Sequence, residues 1–287
     1  MEVNGKRRPI KSVHSKPESG FDSRPHASSM KTPALKRYLD SVGRTVHYLN
    51  TVVVGLAGVE TEICKKPESL DVSWNPTDPK SSSRLARAYV LKSSIVFLAA
   101  ELSEYVNELL KLPVCDLDIP KDANKAERFW RLADRLGIAD TDLVIGPLVI
   151  IHWRNRIIHH SSNAQLSNAQ KEQFKEATSE IAKKYKNLDP ALTLRHFEAG
   201  NPTLKDVSSL IAMSINCAKA MDEKLSEPNS YEEFMAWIEA LGLAEKYERA
   251  CRVSANAANP VSSMSNFFVT HCPGMKKFYE KYGAKHA

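Results

Sequence analysis

The residue types best suited to chemistry lie together between Ile150 and His160, where arginines and histidines interrupt an aliphatic run. Burying an unpaired charge is costly, so basic side chains in such a setting require a reason. A functional reason would be a site that holds an anion, because arginine is a permanently charged bidentate donor. Histidine would add proton transfer near neutral pH. This segment is therefore the first candidate for a functional site.

Helix geometry places these residues on two sides. One polar stripe is formed at helical spacing by His152, Asn155, Arg156 and His159. Arg154 points away from His159 on an ideal helix, because five residues turn the direction by about 140°. The two side chains can meet on one ligand only if the helix ends or distorts, if the long arginine wraps round, or if a second copy of the segment completes the site.

Three explanations compete for the segment. Metal binding through His152, His159 and His160 suits the spacing poorly, and no carboxylate lies nearby in the sequence. A structural role, in which arginine and asparagine tie helix ends to loops and the histidines are core residues, is what composition alone favours. Phosphate chemistry is the third, with arginine as a clamp, histidine as the proton carrier and asparagine orienting one of them.

A family resemblance favours the third explanation. Arg154 and Asn155, followed after three residues by His159, resemble the R-x4-6-H motif of the HEPN superfamily in its common Arg-Asn-x-x-x-His form. Residues 84–112 resemble the helix before the motif in the RiboL-PSP-HEPN-like branch, and residues 203–225 resemble the helix after it. The resemblance covers residues 31–226 and extends to no part of residues 230–287.

The resemblance implies metal-independent RNA cleavage by a homodimer whose two motifs face each other across a two-fold axis. His159 would deprotonate the ribose 2′-hydroxyl or protonate the leaving oxygen. Arg154 would hold the scissile phosphate and stabilise its developing charge, and Asn155 would position one of these groups. The expected products carry a 2′,3′-cyclic phosphate and a 5′-hydroxyl. In such a dimer, Arg154 of one chain could act with His159 of the other.

Four further residues are predicted to support the site or to bind RNA: Arg156, His160, His152 and Glu101. His160 also satisfies the motif spacing, but His159 is preferred because it shares a helix face with Asn155. Glu101 is expected at the edge of the packed face of the preceding helix, where a basic partner could reach it. No cofactor and no metal is expected.

Two non-catalytic functions remain open. The chain could be an RNA- or nucleotide-binding HEPN module, although the intact motif weighs against that. It could also be a helical interaction protein in which Arg154 and the histidines are structural. As a nuclease, it would be expected to act as a toxin or defence effector, restrained by an antitoxin or another regulatory protein.

Composition bounds these hypotheses without deciding among them. The 287 residues are 43% hydrophobic and 26% charged, which is ordinary for a globular protein. The net charge of +6 permits an RNA partner but does not demand one. Five scattered cysteines without a CxxC pair argue against a disulfide framework or a zinc ribbon and favour a reducing compartment. With no apolar run long enough to cross a bilayer, we expect a cytoplasmic protein that does not enter membranes.

The fold is predicted to be all-α, because apolar residues recur at three- and four-residue steps and no strand-period pattern occurs. A first long helix is expected after Thr32, and the motif helix, which is apolar around most of its circumference, should be central. It should begin near Asp140 or at Pro147. The other predicted helices cover residues 83–112, 122–136, 167–185, 203–225 and 230–251. The stretches expected to be loops cover residues 65–82, 187–202 and 253–265.

Three regions are predicted. Residues 1–30 are polar and basic and should form a disordered arm. Residues 31–226 should form the HEPN-like helical bundle. Residues 227–287 should form a C-terminal helical extension.

Overall fold

The structure is a computed structural model that describes residues 32–159, 161–256, 260–276 and 279. Over these residues the chain forms eleven α-helices and no strand, which confirms the predicted all-α class. The predicted N-terminal arm and His160 lie outside the described residues.

The helices follow one another in the order α1 (Pro33–Glu60), α2 (Pro79–Leu109), α3 (Lys125–Arg135), α4 (Ile145–Ile158), α5 (Asn168–Glu176), α6 (Thr178–Lys184), α7 (Pro190–Ala199), α8 (Leu204–Lys224), α9 (Tyr231–Ala240), α10 (Ala244–Ala255) and α11 (Pro260–His271). Short 3-10 turns occupy Pro113–Cys115 and Pro273–Met275. Capping boxes at Ser167 and Thr203 precede α5 and α8, so the starts of these two helices are fixed by local sequence.

The first two helices form an antiparallel pair. Arg37 near the start of α1 is bonded to Glu108 near the end of α2, with Nη2 and Oε2 2.7 Å apart. At the other end, Glu60 of α1 pairs with Arg84 and Arg87 of α2. The pair packs in turn against α8, where Ser214 Oγ accepts a hydrogen bond from Tyr38 Oη at 2.8 Å.

The motif helix α4 lies in the middle of this assembly, as predicted, between α2 and α8. Residues 145–151 and Trp153 are buried. Gly146 permits a close approach of α4 to α8, since a Cβ atom built on it would lie 2.5 Å from the Cβ of Met213. The buried first half of α4 therefore holds the polar second half in a fixed place.

Two stretches predicted to be loops are helical. The prediction for residues 187–202 was wrong, because α7 occupies Pro190–Ala199. Asp189 caps that helix with its side chain, Pro190 fits the first turn, and Gly200 ends it in the left-handed conformation at φ 69°. The prediction for residues 253–265 was also wrong in large part, since α10 continues to Ala255 and α11 begins at Pro260.

Two helices predicted to be continuous are broken. The predicted helix over residues 167–185 divides at Ala177, which ends α5 and starts α6. The predicted helix over residues 230–251 divides at Gly242, whose φ of 65° is the left-handed conformation that ends helices. Helix α2 starts earlier than expected, at Pro79, because Asp78 accepts a hydrogen bond from the backbone N–H of Ser81.

The last helices pack through aromatic side chains. The ring of Phe234 lies 5.6 Å from that of Tyr247 and 6.1 Å from that of Phe268, measured between centroids. Helix α9 also contacts the 3-10 turn at Pro113–Cys115, so the last helices pack against the earlier part of the bundle. In the ranges described, no helix combines the length and the apolar character needed to cross a bilayer.

Candidate functional site

The end of α4 decides how the motif residues are arranged. The helix stops at Ile158, and His159 takes an extended conformation with φ −115° and ψ 97°. Its backbone N–H still donates to the carbonyl oxygen of Asn155 at 2.9 Å, which closes the last helical turn. Because His159 is not helical, its ring need not point about 140° away from Arg154, as it would on an ideal helix. Of the three ways in which Arg154 and His159 could meet, the structure has the first, a helix end.

The three residues predicted to be catalytic are in contact within one chain. Arg154 Nη1 donates to Asn155 Oδ1 at 3.1 Å. The same Nη1 lies 3.5 Å from His159 Nε2, which accepts when the ring carries its proton on Nδ1. One guanidinium nitrogen is thus held between an amide oxygen and an imidazole nitrogen. A second copy of the chain is not needed for this contact.

This cluster faces solvent. Arg154 and Asn155 are half-buried, and His159 is exposed. Among the described residues Arg154 bonds only with Asn155 and His159, and no carboxylate pairs with it. A permanent charge without a counter-charge at an open surface is available to an anionic ligand.

Arg156, in contrast to Arg154, contacts another helix. Its guanidinium carbon lies 4.8 Å from the ring centroid of Phe197, and its Nη2 donates to the carbonyl oxygen of Glu198 at 3.0 Å. Both partners are on the last turn of α7, where a cation is favoured by the helix dipole. Arg156 therefore joins α4 to α7.

Trp153 is a residue of this region that sequence reasoning missed. Its side chain is fully buried and meets the Phe197 ring edge-on, with centroids 5.6 Å apart. Its indole Nε1 is buried and has no hydrogen-bond partner among the described residues. The reason is that helix α7 was not predicted. With a loop expected over residues 187–202, Trp153 had no predicted packing partner.

His152 does not join the Arg154 cluster. It is half-buried, and its Nδ1 is enclosed without a hydrogen-bond partner in the described part of the chain. Burial lowers the pKa of His152, which favours the neutral ring. The polar stripe predicted for α4 therefore divides into the half-buried His152, the anchoring Arg156, and the Asn155 and His159 side chains of the surface cluster.

Glu101 lies on a different surface from the motif. It lines a groove of about 520 Å³ between α1 and α2, together with Arg44, Tyr48 and Phe97. No hydrogen bond or ion pair joins Glu101 to Arg154 in the described residues. Arg44 is a basic residue that lines the same groove as Glu101.

A second cavity, of about 390 Å³, opens on the Arg156 side of α4. It is lined by Lys92 of α2, by Trp153, Arg156 and Ile157 of α4, by Ser162, and by Glu198, Ala199 and Gly200. Ser162 adjoins the motif, because its backbone N–H donates to the carbonyl oxygen of His159 at 2.8 Å. Lys92 was not predicted, since only the tertiary structure brings the middle of α2 to this point.

Metal ligation has no arrangement to support it in the described ranges, which contain no group of three or more histidine, cysteine, aspartate or glutamate side chains placed to hold an ion.

No protein-family model matches this sequence, and no curated protein and no solved structure matches it either.

Proposed function

We propose that this protein is a metal-independent endoribonuclease of the HEPN type, with Arg154, Asn155 and His159 as its catalytic residues. The observation that carries the proposal is the 3.5 Å approach of Arg154 Nη1 to His159 Nε2 at an open helix end. A fixed positive charge and a proton carrier at this separation can both reach one phosphodiester and the adjacent ribose hydroxyl.

The reaction follows from the functional groups. When the guanidinium of Arg154 binds the phosphate, His159 Nε2 gives up its contact with Nη1 and takes the proton of the ribose 2′-hydroxyl, and the 2′-oxygen forms a bond to the neighbouring phosphorus. The bond from phosphorus to the 5′-oxygen breaks, and that oxygen leaves with a proton donated by the imidazole of a second copy of the chain. Arg154 binds the non-bridging oxygens, where negative charge accumulates. The products carry a 2′,3′-cyclic phosphate and a 5′-hydroxyl.

Asn155 has a positioning task in this scheme. Its Oδ1 holds Arg154 Nη1 and leaves the other guanidinium N–H groups for the phosphate. The bond also fixes the direction of a long, flexible side chain before the substrate arrives. Arg154 is thereby pre-organised for one phosphate position.

In a homodimer, the second copy would serve the departure of the leaving oxygen; it would not be needed to bring Arg154 and His159 together. Since one chain already joins Arg154 to His159, a second copy would supply a second imidazole to protonate the leaving oxygen and a second guanidinium for the same cleft. Restraint by an antitoxin or another regulatory protein is part of the proposal, because an unrestrained ribonuclease would damage the RNA of its own cell.

The test is a cleavage assay in EDTA with the full chain and a labelled single-stranded RNA. Wild type should produce fragments with cyclic phosphate ends. Arg154→Ala should reduce the rate by about 10²–10³-fold and His159→Ala by about 10²–10⁴-fold. Arg195→Ala is the matched control, because Arg195 is an exposed arginine on α7 without a bond to any described residue. Absence of cleavage under all conditions, or cleavage that survives both substitutions, contradicts the proposal.

A non-catalytic RNA- or nucleotide-binding module is the second candidate. The cavity beside Arg156 favours it, because Lys92 and Arg156 place two cations in a concave site. Binding of RNA without cleavage, unchanged by His159→Ala, would support this alternative over the nuclease.

A further inference from the structure

A basic groove lies between α10 and α11, in the last part of the described chain, which the proposed nuclease site does not use. It encloses about 440 Å³. The described residues that line it include Lys246, Arg249 and His271 but no aspartate or glutamate. Helix α11 has no acidic residue anywhere along Pro260–His271. The positive charge of the groove is therefore not balanced by its own walls.

The cations at this groove are unpaired. Lys246 and Arg249 are exposed, and neither forms a hydrogen bond or ion pair with a described residue, although Glu245 is one helical turn before Arg249. Burial lowers the pKa of His271, and the positive charges of Lys246 and of Lys36 on α1 lower it further. Lys36 thus adds a third cation near the groove. Clustered cations without counter-charges favour an acidic ligand.

An aliphatic strip accompanies these cations on α10. Val253 is 56% exposed, and the half-buried Ala250 precedes it in the groove. Lys246, Ala250 and Val253 are four and three residues apart, so they share one face of the helix. A ligand that only neutralises charge would leave this strip in water. A ligand with both acidic and apolar side chains would cover it.

The aromatic ring in the groove is not available to stack on a nucleic-acid base. Phe267 is 6% exposed, and its ring packs edge-on against Tyr247 and Phe268 and lies 5.2 Å from His271 between centroids. Proteins that bind single-stranded RNA without sequence preference rely on exposed aromatic faces. The groove therefore suits an acidic peptide better than an RNA strand.

The groove is also remote from the motif at the end of α4. Arg37, which is next to Lys36, bonds to Glu108 near the end of α2. The cavity beside Arg156 is instead lined by Lys92 of the same helix. Residues 92 and 108 are about 24 Å apart along a straight helix. A ligand in the groove thus has no need to touch the motif.

We propose that this groove binds an acidic amphipathic helix of a partner protein. The face of α10 from Lys246 to Val253 is about two helical turns long. That length matches apolar anchors at positions i, i+4 and i+7 of a bound helix. Acidic side chains beside those anchors pair with Lys246, Arg249 and Lys36. The proposal is independent of the nuclease, because none of these residues belongs to the motif.

The test measures binding to labelled probes by fluorescence anisotropy, with the full chain carrying His159→Ala so that RNA stays intact. The first probe is a peptide of about 14 residues with leucine at i, i+4 and i+7 and glutamate on both sides, which spans about 21 Å as a helix. The second has the same composition in scrambled order, and the third is an RNA hexanucleotide. The amphipathic peptide should bind at least about tenfold more tightly than either of the others.

Substitutions assign the contacts. Lys246→Ala combined with Arg249→Ala should weaken binding of the amphipathic peptide about tenfold, because two exposed ion pairs are lost. Val253→Ser should weaken it severalfold, because an apolar contact is lost. Arg252→Ala is the matched control, since Arg252 is an exposed arginine of the same helix outside the groove. All four positions are exposed or half-buried at the surface, so the melting temperatures should agree.

Several outcomes overturn the proposal. They are no binding of the amphipathic peptide, equal binding of the scrambled peptide, and tighter binding of RNA. Binding that depends on Lys246 and Arg249 but not on Val253 would mean that charge alone attracts the probe. An effect of Arg252→Ala as large as that of the double variant would place the contact outside the groove. Whether the wild type cleaves RNA changes none of these results, so this proposal and the nuclease fail separately.

Discussion

Arg154 and Arg156 are two residues apart near the C-terminal end of one helix, yet they have different surroundings. Arg154 bonds within its own segment, to Asn155 and towards His159. Arg156 reaches another helix, where it lies over Phe197 and bonds to the backbone of Glu198. The difference teaches that the position relative to α7, not the residue type, separates an arginine bonded to another helix from one that bonds only within its own segment.

The largest expected effect tests whether α7 anchors this end of α4. Trp153→Ala should lower the free energy of unfolding by about 3–5 kcal/mol, because a large, fully buried ring that packs on Phe197 is replaced by a cavity. Urea denaturation measures it. Trp74→Ala, in the exposed loop before α2, is the control and should change stability by less than about 0.5 kcal/mol. A similar loss for both tryptophans would contradict the anchor.

The two arginines should separate in stability. Arg156→Ala should cost about 1–2 kcal/mol, from a cation–π contact and a bond to a backbone carbonyl. Arg154→Ala should cost less than about 0.5 kcal/mol, because its bonds are local and solvent-accessible. Chemical denaturation of the two variants side by side makes the measurement. If Arg154→Ala costs several kcal/mol, Arg154 is a structural residue and the catalytic proposal loses its basis.

The positioning role of Asn155 should appear in the rate of RNA cleavage. Asn155→Ala should reduce it roughly five- to tenfold, since a hydrogen bond contributes about 1 kcal/mol and 1.4 kcal/mol corresponds to about tenfold. The melting temperature should hardly change. Asn163→Ala, at an exposed position just beyond the motif, is the control. A loss as large as that of Arg154→Ala would mean that Asn155 itself contacts the reacting atoms.

The smallest effect concerns His152, on the buried part of the same helix. Burial lowers its pKa below the ordinary value of 6.5, so below that pH the unfolded chain binds a proton more readily than the folded chain. The stability that depends on neutral His152 is complete above about pH 6.5 and is lost as the pH falls towards the lowered pKa. His152→Leu should therefore flatten the fall in melting temperature between about pH 7 and about pH 5. Equal slopes for wild type and variant would contradict this.

Local signals accounted for the features of the fold that were predicted correctly. Ser167 and Thr203 marked helix starts, because a capping box satisfies orphan backbone groups with side chains only three residues apart. The apolar circumference of α4 likewise predicted its central position. These properties need no distant partner, so a sequence pattern can contain them.

The wrong predictions concern helix boundaries that a single capping or left-handed residue set against a longer sequence pattern. Asp189 and Gly200 bound a ten-residue helix in a stretch that contains loop-forming residues. Gly242 broke a helix whose apolar spacing continued on both sides. In each case a cap or a left-handed residue decided the boundary, and periodicity gave no warning of it.

For the site, the sequence by itself determined which residue types stand at which spacing: Arg154, Asn155 and His159 on an otherwise aliphatic segment. The tertiary structure decided the rest. It ended α4 at Ile158, so that the two side chains that diverge on an ideal helix come within 3.5 Å of each other. It also turned Arg156 towards α7 and brought Lys92 to the same cavity, because contacts between distant segments depend on packing that no local pattern records.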